Sequence, residues 1–540
     1  MRVLVRLPLI VILAGVGALA MLLPGAYASA LGDQRIAMAF FLCAGLFSLL
    51  IGLIGLATID WAEGPRTRTV LLTMIGTMTL LPAMMAVPFL AALPDTGFLN
   101  AWWEMVSSLT TTGATLYSGE LLPDPLHLWR GIVGWLGGLF MLVSAVALLA
   151  PLHVGGFEIM TSPYGRNERF ERLPNGAEPV YQQRHLSDPS YQTALASPTY
   201  RMLRSARLVA PIYAGLTLLV WVLLLTLGDE GLVALCRAMG TLSTSGISPT
   251  SGQAGQGSGR AGEFVVLLFL IPALSRRFWP GGGELVASES WVTDPELRLA
   301  AGVVLLVTVL LLLRHFIGAI DVALPGARSF AENFESALSS AWGALFNAMS
   351  YLTTTGWNSV DWEIARNWSG FSSPGLLLAG LAMMGGGVAT AAGGVKLLRV
   401  YALARHAERE MEKIIYPQSV AGGGLIARRL RREGAYLAFI FFMLFALSIA
   451  VVMALVSFQE IEFDSAMILS ISALTNTGPL AGTIPLTPTF QGSAGVAGAP
   501  WQGWAGLPAM TKAVLAGAMI VGRLETLVIL TLLTPEFWRR

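Results

Sequence analysis

Apolar residues along this chain neither alternate nor form narrow helical stripes; they come in runs of about 20, separated by shorter polar or arginine-rich stretches. The runs cover, approximately, 7–28, 35–58, 69–92, 126–150, 206–228, 263–279, 297–320, 374–402, 435–458 and 508–533. Such runs suit helices that cross a hydrocarbon core, so the pattern predicts ten spans. The first, Leu7 to Leu23, follows Arg2 and Arg6 and precedes "YASA", Tyr27 to Ala30. That layout suits a retained anchor or a cleaved signal peptide, and either leaves the topology of the rest unchanged.

The connections on one side are not simple loops. Phe98–Leu109, Gly231–Leu242, Phe334–Leu352 and Phe463–Leu474 each read as a short apolar helix, none long enough to span. A segment that enters the membrane and returns is tolerated where its irregular backbone is buried in protein or lines a water-filled cavity. Each short helix runs into a related stretch: "SSLTTTGATLYSG" (Ser107 to Gly119), "GTLSTSGISPTSG" (Gly240 to Gly252), "SYLTTTGWNSVDW" (Ser350 to Trp362) and "SALTNTGPLAG" (Ser472 to Gly482). The repeating unit is span, re-entrant helix, glycine-containing strand-like stretch, span. Its four glycines are Gly113, Gly246, Gly356 and Gly478.

One Thr/Ser-Gly turn alone is an ordinary helix cap. Four of them after four re-entrant helices on one side call for another explanation. An ion crossing hydrocarbon needs its hydration shell replaced, and a ring of backbone carbonyls does this without fixed charge. Glycine permits the unusual backbone at low steric cost, and Thr or Ser adds hydroxyls. Helix C-terminal ends aimed at the axis add partial negative charge favourable to a cation. None of the four cores contains Asp, Glu or Lys, which argues against a charged-ring filter. The expected fold is therefore an all-α polytopic membrane protein of about ten transmembrane helices, its four repeats in a pseudo-fourfold arrangement around one pore.

Composition agrees with a membrane chain: 54% of residues are hydrophobic and 12% charged. A net charge of +1 carries no sign of nucleic-acid binding. Cys43 and Cys236 lie in or beside apolar runs and make neither a disulfide framework nor a zinc site. With the N-terminus in the cytoplasm, Arg66 and Arg68, the stretches 166–207, 276–298 and 399–432, and Arg539 and Arg540 fall on one side, as the positive-inside rule requires. The other face carries Glu104, Glu120, Asp124, Asp229, Glu230, Glu332, Glu335, Asp361, Glu363, Glu460, Glu462 and Asp464. These predict an acidic outer face that concentrates cations, although any single one also reads as a solvated loop charge.

Two further stretches bear on permeation. "MMGGGVATAAGGVKLLRV", Met383 to Val400, holds Gly385, Gly386, Gly387, Gly393 and Gly394, each costing about 1 kcal/mol in a helix relative to Ala. A broken helix follows, serving either as a gate below the filter or as close packing through small residues. Near the end, Arg523 and Glu525 fall inside an apolar run. Arg523 is either an electrostatic barrier in the permeation path, with Glu525 as partner, or a structural residue bonded to carbonyls; Lys396 raises the same question. A secondary transporter built of inverted halves would not show four same-direction units. Nor do the five histidines form a His-Glu-x-x-His pair that would suggest an intramembrane enzyme.

Taken together, "LTTTGAT" at Leu109, "WRGIVGWLGGLFMLVSAVALLAPLHVGG" from Trp129, "YLTTTGW" at Tyr351, "TAAGGVKLLRV" at Thr390 and "GRLETLVILTLLTPEFW" at Gly522 resemble the Trk/Ktr/HKT superfamily of potassium transporters, and within it the bacterial TrkH-type pore subunits. The resemblance covers nearly the whole chain. It implies potassium uptake across the bacterial inner membrane, with both termini cytoplasmic and no enzymatic activity. By the family pattern Thr111, Thr112, Gly113, Thr244, Ser245, Gly246, Thr354, Thr355, Gly356, Asn476, Thr477 and Gly478 form the potassium-binding filter. Gly385, Gly386, Gly387, Gly393, Gly394, Lys396 and Arg523 form the gate. Glycine in all four repeats is the pattern associated with potassium preference. The resemblance also implies a homodimer in membrane lipid and a cytoplasmic TrkA-like nucleotide-binding regulatory subunit. Nucleotide is expected only on that partner, with no covalently bound cofactor on this chain.

The chain departs from its relatives at Gly386, Gly387, Val388 and Ala389, where the gate usually includes Ser or Cys, in "STSGISPTSG", where a double Gly followed by an aromatic is usual, and at Leu480, where Gly is usual. The expected organisation is two additional helices in 1–60, pore repeat 1 in 61–160, a cytoplasmic loop in 161–205 and repeat 2 in 206–285. Repeat 3 occupies 286–404 with its broken helix at 383–396, followed by a basic linker in 405–433 and repeat 4 in 434–540.

Overall fold

A computed structural model describes residues 6–59, 66–117, 119, 121–149, 198–250, 252–280, 294–321, 330–369, 373–416, 432–484 and 503–524. Among these the chain is helical and forms no strand; only an isolated parallel bridge joins Gln253 and Asn358. Helices α1 (Leu9–Ala20), α2 (Leu22–Ala30) and α3 (Gln34–Thr58) precede the repeats. Repeat 1 holds α4 (Arg66–Ala92), α5 (Phe98–Leu109) and α6 (Asp124–Ser144), the last extended by a π turn over Ala145–Leu149. Repeat 2 holds α7 (Pro198–Thr226), α8 (Gly231–Leu242) and α9 (Gly259–Leu270). Repeat 3 holds α10 (Pro295–Asp321), α11 (Phe330–Leu352), α12 (Trp362–Ser369), α13 (Gly375–Met384) and α14 (Leu397–Ile415). Repeat 4 holds α15 (Arg432–Ser457), α16 (Phe463–Leu474), the single turn α17 (Leu480–Thr483) and α18 (Ala509–Leu524).

Seven helices among the described residues are long and apolar enough to cross a membrane: Leu9–Ala30, Gln34–Thr58, Thr69–Ala92, Asp124–Leu149, Pro198–Thr226, Pro295–Leu313 and Gly434–Ser457. Their outer faces show leucine and phenylalanine, among them Leu42, Leu49, Leu306 and Phe439, all exposed. That is a surface for lipid tails. Two of the other three runs are not continuous helices. The run expected over 263–279 is a helix only to Leu270, then 3-10 turns at Ile271–Ala273 and Arg276–Phe278. Pro272 has no N–H to continue the helix. The run at 374–402 breaks between Met384 and Leu397, and the last is described as helix only to Leu524. Glu525 lies outside the described residues.

The packing is cyclic. Each repeat's first span lies on its own short helix: α4 on α5, α7 on α8, α10 on α11 and α15 on α16. Each short helix also packs on the second span of the preceding repeat: α8 on α6, α11 on α9, α16 on α13, and α5 on α18. The last pair closes the circle. The C-terminal halves of the short helices are buried. In α5 and α16 every residue from Trp103 to Leu109 and from Ile468 to Leu474 is buried, so these helices form the centre. Their buried faces are mostly apolar, and the helices are stable here because protein surrounds them.

Candidate ion-conduction site

Each short helix ends on a residue whose hydroxyl bonds back into its last turn: Thr110 to the carbonyl of Val106 at 2.7 Å, Ser243 to Met239 at 2.7 Å, Thr353 to Met349 at 3.0 Å and Thr475 to Ile471 at 2.8 Å. That hydroxyl also meets the one two residues on, with Thr110–Thr112 at 2.8 Å, Ser243–Ser245 at 2.9 Å, Thr353–Thr355 at 3.0 Å and Thr475–Thr477 at 3.2 Å. The first hydroxyl residue of each stretch (Thr110, Ser243, Thr353, Thr475) is thus a clamp on the helix end, and the next three residues are the segment it positions.

Within that segment Thr111, Thr244, Thr354 and Asn476 have φ of 55°, 54°, 57° and 54°. This left-handed conformation costs a side chain roughly 1–2 kcal/mol. The middle residue returns to negative φ, and Gly113, Gly246 and Gly356 are left-handed again, with φ of 73°, 60° and 79°. The result is visible in the hydrogen bonds. Ser107 O accepts from both Thr112 N and Gly113 N, Gly240 O from Ser245 N and Gly246 N, and Ser350 O from Thr355 N and Gly356 N, all at 2.9–3.4 Å. In a trans peptide the carbonyl points opposite to the N–H. With these N–H groups turned back to the short helix, the carbonyls of Thr111, Thr112, Thr244, Ser245, Thr354 and Thr355 turn away from it.

They turn towards the neighbouring repeat. A Cβ built on Gly113 would lie 1.8 Å from Ser245 O, one on Gly246 2.1 Å from Thr355 O, one on Gly356 2.9 Å from Pro479, and one on Gly478 2.2 Å from Ala114 N. Repeat 1 touches 2, 2 touches 3, 3 touches 4, and 4 touches 1. All twelve residues read from sequence as the filter are therefore brought together. The fourth quarter departs from the others: Gly478 lacks a positive φ, and its N–H leaves its own helix to bond Thr112 O at 2.7 Å. Asn476 reaches the same way, its Nδ2 donating to Thr112 Oγ1 at 3.0 Å and Met519 O at 2.9 Å.

The glycine-rich break lies against the short-helix end of these segments. Helix α13 stops at Gly385, whose φ is 73°, and the chain between Met384 and Leu397 crosses the circle. Gly393 N donates to Thr354 Oγ1 at 2.7 Å, and a Cβ on Gly393 would sit 2.1 Å from Thr475 O. Gly387 N donates to Ala273 O at 2.9 Å, and Val388 N to Glu296 Oε1 at 2.8 Å. Val388 and Ala389 pack with Ala145 of repeat 1. Gly386 sits against Ala273 O, and Gly394 approaches Ala382 O. Arg523 is buried and donates through Nη1 to Ala391 O at 2.6 Å; Lys396 donates its ammonium to Ala392 O. The break thereby touches all four repeats: by apolar packing on repeat 1, by hydrogen bonds to repeats 2 and 3, and by Arg523 of repeat 4, while Lys396 bonds within the break.

The expected acidic outer face is partly corrected. Glu104 is fully buried and pairs with Arg130 at 2.5 Å; Asp229 pairs with buried Arg237 at 2.7 Å, and Asp361 with Arg260 at 2.6 Å. Neutralised carboxylates contribute little long-range field. Glu120, and the side chain of Glu332, lie outside the described residues. Cys43 and Cys236 are buried free thiols. No group of three or more His, Cys, Asp or Glu among the described residues could hold a metal ion.

A membrane chain whose four filter-like segments meet in one circle belongs with ion transporters. The family model described as TrkH, cation transport protein, matches residues 261–539, and the chain belongs to that family, whose members are transporters and not enzymes. It is 26% identical over 483 residues to the Trk system potassium uptake protein TrkH of Salmonella typhimurium, covering 88% of this chain and 86% of the relative. It is also 26% identical over 512 residues to the Trk system potassium uptake protein TrkI of Halomonas elongata, covering 92% and 90%. The crystal structure of the potassium transporter TrkH from Vibrio parahaemolyticus shares the fold, with a TM-score of 0.73 at 22% identity over 99% of both chains.

Proposed function

We propose that this chain takes up potassium across the bacterial inner membrane through a single pore with pseudo-fourfold carbonyl coordination, gated by its glycine-rich break. The observation that carries this reading is the alternation of left-handed and ordinary backbone at 111–113, 244–246 and 354–356, which turns successive carbonyls to one side. Carbonyls presented in a ring replace the hydration shell of a monovalent cation, and the C-terminal ends of α5, α8, α11 and α16 add partial negative charge there. The names of the relatives, all potassium uptake proteins, support potassium as the cargo. The break between Met384 and Leu397 lies at the inner end of the filter and must move for an ion to pass. Both termini face the cytoplasm, the protein is a homodimer, and a TrkA-like nucleotide-binding subunit docks on the inner loops and controls the break. The test is growth and potassium uptake at low external potassium in a bacterium without its own transporters, with the regulatory subunit co-expressed. Rescue is expected. Absence of uptake by protein present in the membrane would contradict the assignment.

A further inference from the structure

One position on each short helix faces the chain as it leaves the filter. Counting back nine residues from the filter glycines gives Glu104, Arg237, Asn347 and Leu469, all buried. Glu104 Oε2 accepts the N–H of Leu116 at 3.0 Å, while its Oε1 holds Arg130. Arg237 donates to Gln253 O at 2.8 Å and to Asp229 at 2.7 Å. Asn347 Oδ1 accepts the N–H of Ser359 at 2.8 Å, and its amide nitrogen donates to Asn358 Oδ1 at 3.3 Å. An acid, a base and an amide thus serve the same purpose at the same register: each ties the exit segment of its own repeat to its own short helix.

A buried polar side chain is tolerated only when its partners are in place, and a satisfied one rigidifies what it binds. Leu469 can make no such tie. In that repeat the Gly478 N–H bonds across to Thr112 O, in place of the helix-end carbonyl that the other three glycines use. The fourth quarter keeps ties to its own helix, Thr477 N donating to Ser472 O at 2.9 Å and Ser472 Oγ to Thr477 O at 2.8 Å, but its glycine N–H is given to the neighbouring repeat.

We propose that Glu104, Arg237 and Asn347 are positioning residues that hold three filter quarters at the spacing that discriminates potassium from sodium, and that the quarter behind Leu469 is held instead by Ser472 and by the neighbouring repeat. This rests on the potassium-filter reading above. Asn347 offers the clean test, because replacing it strands no buried charge. Purified wild type, Asn347→Leu, Asn347→Asp and Leu469→Ala are reconstituted into lipid vesicles, and potassium and sodium fluxes are measured separately. Asn347→Leu lowers the potassium-to-sodium ratio about tenfold, the loss expected when a buried bond is left unmade. Asn347→Asp keeps the acceptor for Ser359 but sets a buried carboxylate against Asn358 Oδ1, so its ratio falls as well. Leu469→Ala removes buried volume at the equivalent position and leaves the ratio unchanged. If Asn347→Leu does not reach the membrane, Asn347→Ser, which cannot reach Ser359, makes the same comparison. A wild-type ratio in the Leu or Ser variant, or an equal fall in Leu469→Ala, overturns the proposal. Wild-type vesicles that carry no potassium would overturn the underlying reading instead.

Discussion

Removing Arg523 should open the pore. Its guanidinium is 4% exposed, and Nη1 donates to Ala391 O at 2.6 Å; Nε and the other terminal nitrogen have no hydrogen-bond partner among the described residues. A hydrogen bond to a charged group contributes about 1.5–3 kcal/mol. Because each 1.4 kcal/mol is a factor of ten, losing it weakens the hold on the closed break by roughly 10- to 100-fold. Arg523→Ala also removes a positive charge from the cation's route, which adds in the same direction. Stability should survive, since a buried charge with so few partners contributes little to the fold. The assay is potassium flux per protein in vesicles: Arg523→Ala should exceed wild type by about tenfold or more, while Arg523→Lys should stay close to it. Lower flux at normal membrane levels would refute the reasoning and make Arg523 a strut.

Three other outcomes follow from the same contacts. Thr354→Val deletes the acceptor for Gly393 N, at 2.7 Å, and should raise vesicle flux several-fold through a loss of about 1–3 kcal/mol. Gly478→Ala would place a Cβ 2.2 Å from the backbone nitrogen of Ala114, so uptake should be abolished at normal expression. Arg130→Ala leaves Glu104 a buried unpaired carboxylate and should cost about 3–5 kcal/mol, read as thermal unfolding in detergent. By the same measurement Arg260→Ala should cost less than Arg130→Ala, because Arg260 is half exposed and water can take its place beside Asp361.

How much of this could be read in advance depends on the distance over which each feature is determined. The bounds of α5, α8 and α16 coincide with Phe98–Leu109, Gly231–Leu242 and Phe463–Leu474 as read from the apolar runs. Polar residues before and Thr or Ser after mark them locally. Helix α11 begins earlier, at Phe330, because a charged first turn with Glu332 and Glu335 hides its start. The burial of Glu104 was not legible: its partner Arg130 lies on another helix, and a paired carboxylate is spelled like a solvated one. Nor was the bond from Gly478 N to Thr112 O, which joins the two ends of the chain. The bracing position was within reach. Superposing the four repeats on their glycines places Glu104, Arg237 and Asn347 in one column of otherwise apolar helices.

The most direct test of a carbonyl filter is its selectivity after a glycine is lost. Gly113 is left-handed and within 1.8 Å, measured from a built Cβ, of Ser245 O; Gly356 is left-handed against Pro479. A serine at 113 must displace the Ser245 carbonyl, and one at 356 must displace the Pro479 ring and strain a left-handed backbone. Potassium and sodium uptake are compared in wild type, Gly113→Ser and Gly356→Ser, at matched expression. The account predicts potassium preference in wild type and a clear fall in the potassium-to-sodium ratio in both variants. Unchanged selectivity in both would contradict it.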